Sequence, residues 1–384
     1  MKFSLTPDYT MTVFSCIAHI QKDDWQSIKK DMQFYQSYNF LQIIEALHPE
    51  LRMRYAFIYK QEKLFGIVYT QQMEFSYRQV FTYSESKENI FIRTIKKYLS
   101  GKQVYLLNLG DVFFTGDKGI LSENESDLLP LMPEILNQIN NTFTENRSGA
   151  FLMANITLSD ESKCVFYKSQ KYHPFITEPD MYMHIRDEWH SFQDYLNALS
   201  AKYRTRAKKV MSTASPIICR ALIDEEALLY KNDMAQLYAN VMDKTSFNLA
   251  RLNPDFFIRV RQEYPGNCTL KGYFLEGKMV AFVCLFACND KQLHIHYIGL
   301  NYEVNAQYKL YNRMLFDFLQ YAIENGFDKI HFGRTATEIK STVGAQALQL
   351  HAYLKMKNRL MNLILPDMLE KIKPQPYTLR NPFK

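Results

Sequence analysis

Cysteine is sparse and irregular in this chain. The six cysteines stand at 16, 164, 219, 268, 284 and 288 with no CxxC pair, which excludes a secreted disulfide framework and paired metal knuckles. Cys284 and Cys288 share an apolar strand-like run and are read as buried, reduced neighbours. Glycine and proline are also few, thirteen of each, too few for a collagen-like or low-complexity chain. Long hydrophobic runs are missing: the longest, Met279 to Cys288, falls well short of the ~20 residues that cross a bilayer. The opening MKFSLTPDYT has no apolar signal core. A cytoplasmic location is therefore expected, with no more than a transient approach to a membrane surface. Charge of one sign is not in large excess either, since 46 Lys and Arg face 40 Asp and Glu for a formal +6, far from a nucleic-acid coat protein. No P-loop, GxSxG, HExxH or dinucleotide fingerprint occurs, so phosphoryl transfer, serine hydrolysis and nicotinamide redox chemistry lose their usual supports.

What the chain does have is length and aromatic area. Its 384 residues are 47% hydrophobic, with 27 Phe and 26 Tyr, enough for two sizeable cores. One pattern occurs twice. Residues 54–70 read as two apolar runs joined by Lys-Gln-Glu-Lys, and residues 269–287 as two apolar runs joined by Glu-Gly-Lys; both are hairpin signals. Sliding one onto the other by 215 positions superposes Lys63 on Lys278 and Val68 on Val283. After the first hairpin come strand-like stretches at Gln79–Tyr83 and Gln103–Leu109, a helix from about Asp127 to Phe143, and the strand GAFLMANITL. After the second come QLHIHYIGL, a long helix near Gln307–Asn325 with Tyr311, Met314, Leu315, Phe318, Leu319, Ala322 and Ile323 on one stripe, and the strand DKIHF.

A tandem duplication follows, of class α+β: two units, each a mixed, mainly antiparallel sheet flanked by helices. The division is expected near residues 180–190, giving domains 1–186 and 187–384. EPDMYMHI then closes the first, and EWHSFQDYLNALSAKYRTRAKKV opens the second as one long helix striped with Phe192, Tyr195, Leu196, Leu199, Tyr203 and Val210. KPQPYTLRNPFK reads as an extended arm.

Three clusters can carry chemistry. AKYRTRAKKV holds five cations and no acid; helical geometry puts Lys202 and Lys209 on one flank of the apolar stripe, Arg204 and Lys208 on the other, and Arg206 near its edge, a set suited to phosphates. The bland alternative is a solvated helix face. HFGRTATEIKSTVGA ends a strand at Gly333 and starts a short helix with Thr335 or Thr337 as cap, placing Arg334, Glu338 and Lys340 at a ligand-site position; alternatively Arg334 and Glu338 simply pair. On QLHIHYIGL, Leu293, Ile295 and Tyr297 share one face and His294 and His296 the other. With no third ligand nearby a metal is not expected.

KYRTRAKKV after a W-x-x-F-x-x-Y-L helix, then a hairpin, HYIGLNYE, a helix and FGRTATEIKSTVGA together resemble the FemAB-like and BioF2-like branch of the GNAT acyltransferase superfamily, most strongly over residues 188–356. The resemblance implies two GNAT-like domains and an N-acyltransferase. Lys202, Arg204, Lys208 and Lys209 match the family's Lys-x-Arg-x-x-x-Lys-Lys helix beside the substrate cleft. Lys340 matches the lysine of F-K-x-x-F-G, which is held to stabilise charge in the transition state; Ile339 and Val343 replace its aromatic positions. The pyrophosphate loop of GNAT enzymes should precede the long helix, where this chain has EVNAQYKL without glycine.

The chemistry implied is attack of an amine on an activated acyl carbonyl. Backbone N–H groups near Tyr297–Gly299 and the Lys340 ammonium would meet the oxyanion, Glu303 or His296 would take the proton, and Tyr311 would protonate the leaving group. The expected co-substrate is acyl-CoA or acetyl-CoA, with no metal. Alternatives are an aminoacyl-tRNA donor with a cell-wall precursor as acceptor, although the chain has no heptad run for a tRNA-binding helical hairpin, and a binding module that has lost catalysis.

Overall fold

The structure is a computed structural model. It describes residues 1–29, 32–76, 103–115, 119–157, 161–244, 249–288, 291–370, 374 and 376–384; the strand expected at Gln79–Tyr83 lies outside them. The chain divides into two compact units, residues 1–177 with 349–375, and residues 178–348 with 376–384.

The first unit is built on β1 (Lys2–Ser4), β2 (Tyr9–Phe14), β3 (Arg52–Lys60), β4 (Lys63–Ser76), β5 (Gln103–Leu109), β6 (Ile120–Leu121), β7 (Ala150–Thr157) and β8 (His173–Ile176). The second contains β9 (Asp180–His184), β10 (Ile218–Ala221), β11 (Cys268–Leu275), β12 (Lys278–Ala287), β13 (Gln292–Leu300), β14 (Lys329–Gly333) and β15 (Gln346–Leu348). A last strand, β16 (Leu350–Met356), returns to the first. The sheet orders are β1-β2-β3-β4-β5-β7-β16-β8, with β6 paired to β4, and β10-β11-β12-β13-β14-β9-β15. Both sheets are antiparallel except for one parallel pair each, β5 with β7 and β13 with β14. The α+β class, with two mainly antiparallel sheets flanked by helices, holds.

The repeat extends to backbone detail. Each hairpin turns through two residues in the left-handed region, Gln61 and Glu62 in the first, Glu276 and Gly277 in the second, as a two-residue hairpin loop requires. Each also carries a bulge at the same place: Phe65 is skipped between the pairs Ile58–Gly66 and Tyr59–Leu64, and Val280 between Tyr273–Ala281 and Phe274–Met279. Phe65 and Val280 are 215 positions apart, the shift that aligns the two hairpins.

The single division at residues 186 and 187 is corrected. β9, which follows β8 in sequence, pairs with β14 and β15 of the second sheet. β16, which follows β15, pairs with β7 and β8 of the first. Each unit thus completes its sheet with the strand its own sequence position would assign to the other. The physical reason is that alternation fixes which face of a strand is apolar but leaves open which neighbour it joins.

In the second unit the helix Leu310–Glu324 lays Leu310, Met314, Leu315, Phe318, Leu319 and Ala322 on Val283, Leu285, Leu293, Ile295, Ile330 and Phe332, as its spacing predicts. In the first, Ile135, Leu136 and Ile139 of the helix Met132–Asn141 cover Ala56, Ile58, Val68, Leu107 and Leu109. The expected long helix over 188–210 is two helices, Phe192–Ala198 and Ala201–Thr213, because Leu199 and Ser200 are extended. Their backbone is taken by residues 382 and 383: Leu199 bridges Phe383, and Ser200 N donates to Pro382 O at 2.9 Å. All six cysteines are thiols rather than disulfides. Cys268 and Cys284, both buried, bring their sulfurs to 3.7 Å. No helix among the described residues is long and apolar enough to cross a membrane.

Candidate active site

The candidate site lies in the second unit, at the end of the parallel pair β13–β14. β13 is bulged: Cys284 pairs with Tyr297 and Leu285 with Ile295, leaving His296 as the extra residue. Leu293 and Ile295 enter the core under the helix Leu310–Glu324. The bulge then resets the alternation. Tyr297 therefore does not share their face, as expected from strict alternation; its ring lies 4.3 Å from His296, 5.7 Å from Tyr238 and 6.1 Å from Phe257, on the histidines' side. Gly299 follows on that side, where an added Cβ would stand 2.7 Å from Leu237 Cβ and 2.3 Å from the Phe282 ring. Only glycine admits so close an approach of the helix Lys231–Asp243.

β13 and β14 pair only at Gln292–Lys329, Leu293–Ile330 and His294–His331, although β13 runs on to Leu300. Beyond His294 and His331 the ladder stops, and residues 295–300 of β13 run on as a segment with no β14 partner. A polar chain lies at its root. His331 Nδ1 meets Asp180 Oδ2 at 2.6 Å and its Nε2 meets Gln292 Oε1 at 2.7 Å, while His294 stacks on His331 with centroids 4.4 Å apart. Burial, reinforced by the charge of His331, pushes His294 down to about 3. His296, packed against Phe286 and Phe256, is pushed well below the ordinary histidine range, again by burial first and then by His294. As a buried imidazole whose charged form is disfavoured, it would be a weak base in the proton-acceptor role expected of it.

The strand β14 ends in a left-handed run: Gly333, Thr335 and Ala336 have φ of +72°, +67° and +49°. A β-branched residue there stores strain. The short helix Thr337–Ser341 starts from Ala336, with no side-chain cap, so neither threonine caps it as expected. Lys340, 3% exposed, closes this turn by donating from Nζ to the carbonyls of Gly333 (2.9 Å) and Arg334 (2.7 Å). The ammonium has three hydrogens, and the third is uncommitted among the described residues. Burial lowers its pKa to about 7, against the opposing charges of Asp180 and Glu178. Arg334 and Glu338 do not pair; Glu338 pairs with Arg380 instead.

The basic helix Ala201–Thr213 buries Ala207 and Val210 and leaves Lys202, Arg206, Lys208 and Lys209 exposed and Arg204 half-buried. Among the described residues none of these five cations joins an ion pair. The helix Phe192–Ala198 and the start of the basic helix are both tied to the Lys340 turn: Tyr195 Oη donates to Val343 O at 2.9 Å, and residues 380–383 reach Ser341 on the turn and Ser200 before the basic helix.

Glu303 stands exposed on the helix Tyr302–Tyr308 that follows β13. Tyr311 opens the next helix; burial pushes its phenol above the ordinary range, so it keeps its proton. The backbone donors at this point are already taken, Glu303 N and Val304 N by Asn301 Oδ1 and Tyr311 N by Asn305 Oδ1. Sequence reasoning missed Asp180, His331 and Arg380. Only the isolated His331 between the core residues Ile330 and Phe332 signalled a polar face.

A family model described as FemAB-like, peptidoglycan biosynthesis/recognition, matches residues 113–378. No curated protein matches the chain. Among solved structures, FemX is similar with a TM-score of 0.54 at 10% identity, covering 92% of this chain and 99% of its own. A conserved protein of unknown function from Bacteroides thetaiotaomicron is similar with a TM-score of 0.49 at 11% identity, covering 87% of this chain and 97% of its own. The L-PGS of Bacillus licheniformis gives 0.47 at 10% identity, covering 86% and 96%. The likeness to FemX is one of fold.

Proposed function

Because the chain belongs to the FemAB-like family of transferases, we propose that it moves an aminoacyl group from an aminoacyl-tRNA-type donor to an amine of a cell-envelope peptide precursor. The observation that carries this reading is the pairing, within one unit, of five cations free of ion pairs among the described residues with a buried lysine whose third hydrogen is uncommitted. Phosphates of the carrier would lie along Lys202, Arg204, Arg206, Lys208 and Lys209. The neutral amine attacks the ester carbonyl, the carbon–oxygen bond to the carrier breaks, and the departing oxygen takes up a proton. Lys340 would stabilise the oxyanion together with N–H groups of the bulged strand near Tyr297–Gly299. Glu303, exposed beside that strand, is the proposed proton acceptor, and Tyr311, which holds its proton, the proposed donor to the leaving group. Arg334 and Glu338 would border the acceptor.

An acyl-CoA donor has less support. A pyrophosphate needs free backbone donors before the long helix, and here Asn301 and Asn305 already occupy three of them.

The test is transfer of a labelled amino acid from aminoacyl-tRNA to a precursor peptide, beside a matched panel of acyl-CoA thioesters. Lys340→Ala should slow turnover by ~10² or more if the lysine is one oxyanion donor. Transfer from acyl-CoA alone would return the donor to CoA. Binding of both ligands without any transfer would mark a binding module.

A further inference from the structure

We propose that the segment Pro376–Lys384 is a strap that positions the Lys340 turn against the start of the basic helix, with Arg380 and Phe383 as its two positioning residues. The segment has no regular structure apart from the single Leu199–Phe383 bridge, yet it touches both elements. On the turn, Arg380 N donates to Ser341 Oγ at 2.9 Å, and the Arg380 guanidinium binds Glu338. These two residues flank Lys340. Ser341 is fully buried and its hydroxyl in turn donates to Glu338 O at 2.7 Å. On the helix side, Pro382 O accepts from Ser200 N, and Lys384 N donates to Ala198 O at 3.3 Å.

Phe383 joins the two sides. Its ring lies 5.7 Å from Trp189 and 6.2 Å from Tyr195, with the Arg186 guanidinium 4.6 Å above it. It also presses on the turn itself, since a Cβ added to Gly344 would come within 2.5 Å of it. Gly344, at φ +102°, is bare where the ring needs room.

The need for such a strap follows from the turn. A five-residue helix does not hold itself in water, and this one begins from two non-glycine residues in the left-handed region, a strained start that surrounding groups must impose. The Arg380–Glu338 pair is about half exposed on both sides and is weak alone. Anchored by the aromatic seat of Phe383, it acts on the two residues that decide where Lys340 points. The inference rests on the reading of Lys340 as a working residue, but its physical content does not.

The experiment is hydrogen exchange by mass spectrometry on the full chain, read at residues 335–345. In Arg380→Glu the turn amides should lose protection ~10-fold or more as a local opening, while β11, β12 and β13 keep theirs. Glu338→Arg should do the same, the double swap Glu338→Arg/Arg380→Glu should restore protection, and Arg380→Lys should retain most of it. Phe383→Ala, which frees the other end, should expose the same amides. Unchanged exchange in both Arg380→Glu and Phe383→Ala, a loss spread evenly over the second sheet, or a swap that fails to restore would overturn the strap. Since no substrate enters, these outcomes stand apart from the identity of the acyl donor. In a transfer assay the strap further predicts that Arg380→Glu lowers kcat without raising KM for the donor, and that Arg380→Lys keeps most of it.

Discussion

Tyr195 and Val343, 148 residues apart in sequence, are joined by a hydrogen bond from the phenol to the main-chain carbonyl at 2.9 Å, with both residues buried. The bond fixes the end of the Lys340 turn to the helix Phe192–Ala198. Tyr195→Phe leaves the carbonyl without this partner, which costs ~1–3 kcal/mol. Urea unfolding should show that loss in midpoint with an unchanged slope; an unchanged midpoint would remove the bond from the account.

Lys340 gives a pH dependence with a defined sign. Its folded pKa of about 7 lies below the unfolded value of ~10.4. Between the two the unfolded chain binds more protons, so this group adds stability as pH rises toward the unfolded pKa and withdraws it as pH falls toward 7. Activity should run the opposite way. If the ammonium meets the oxyanion, the transfer rate falls as pH rises through about 7. Lys340→Met should flatten the stability rise in that window, and a wild-type rate that climbs steadily from neutral to alkaline pH would exclude the ammonium role.

Gly299→Ala tests the approach of helix to bulged strand. The new methyl would overlap the Phe282 ring and Leu237 Cβ, both buried in close packing. Overpacking of this kind costs ~1–3 kcal/mol. A thermal melt no lower than that of the wild type would show that the strand has room to spare.

The cations of the basic helix make a salt-dependent prediction. For a single-stranded or terminal RNA donor, each phosphate that is no longer neutralised should reduce the slope of log affinity against log salt by ~0.7. Replacing Lys202, Arg204, Lys208 and Lys209 together should therefore flatten the slope by roughly 3, as measured by tRNA binding at several salt concentrations. A slope that does not change would assign the helix to solvent.

Much of this architecture is legible in the sequence, and the limits have identifiable causes. The hairpins, their 215-residue offset and the apolar stripe of the helix Leu310–Glu324 follow from local periodicity, and the paired bulges at Phe65 and Val280 deepen the repeat they announce. Strict alternation misplaces Tyr297 because one extra residue, His296, resets the faces without any composition signal. The break at Leu199–Ser200 comes from a chain segment some 180 residues downstream that takes up the backbone, and helical propensity contains no trace of it. The lysine of the turn is marked by its motif. Its carbonyl partners and the Asp180–His331 hydrogen bond, which spans 151 residues, depend on strand neighbours that alternation cannot specify.

A cut between residues 186 and 187 should produce two fragments that fail to fold. The first would lack β16 between β7 and β8, and the second would lack β9 between β14 and β15. Circular dichroism and limited proteolysis of each fragment alone, and of the two co-expressed, would check this; a stable, cooperatively melting first fragment would contradict it.

The traded strands also set a timetable for biosynthesis. While the ribosome is still making everything from β9 to β15, β7 and β8 must wait with their facing edges unpaired, a state that invites pairing with strangers. The sheet of the first unit is therefore closed by a strand that leaves the ribosome only after every strand of the second sheet has been synthesised, and neither unit can be inherited without a strand encoded within the other's stretch of sequence.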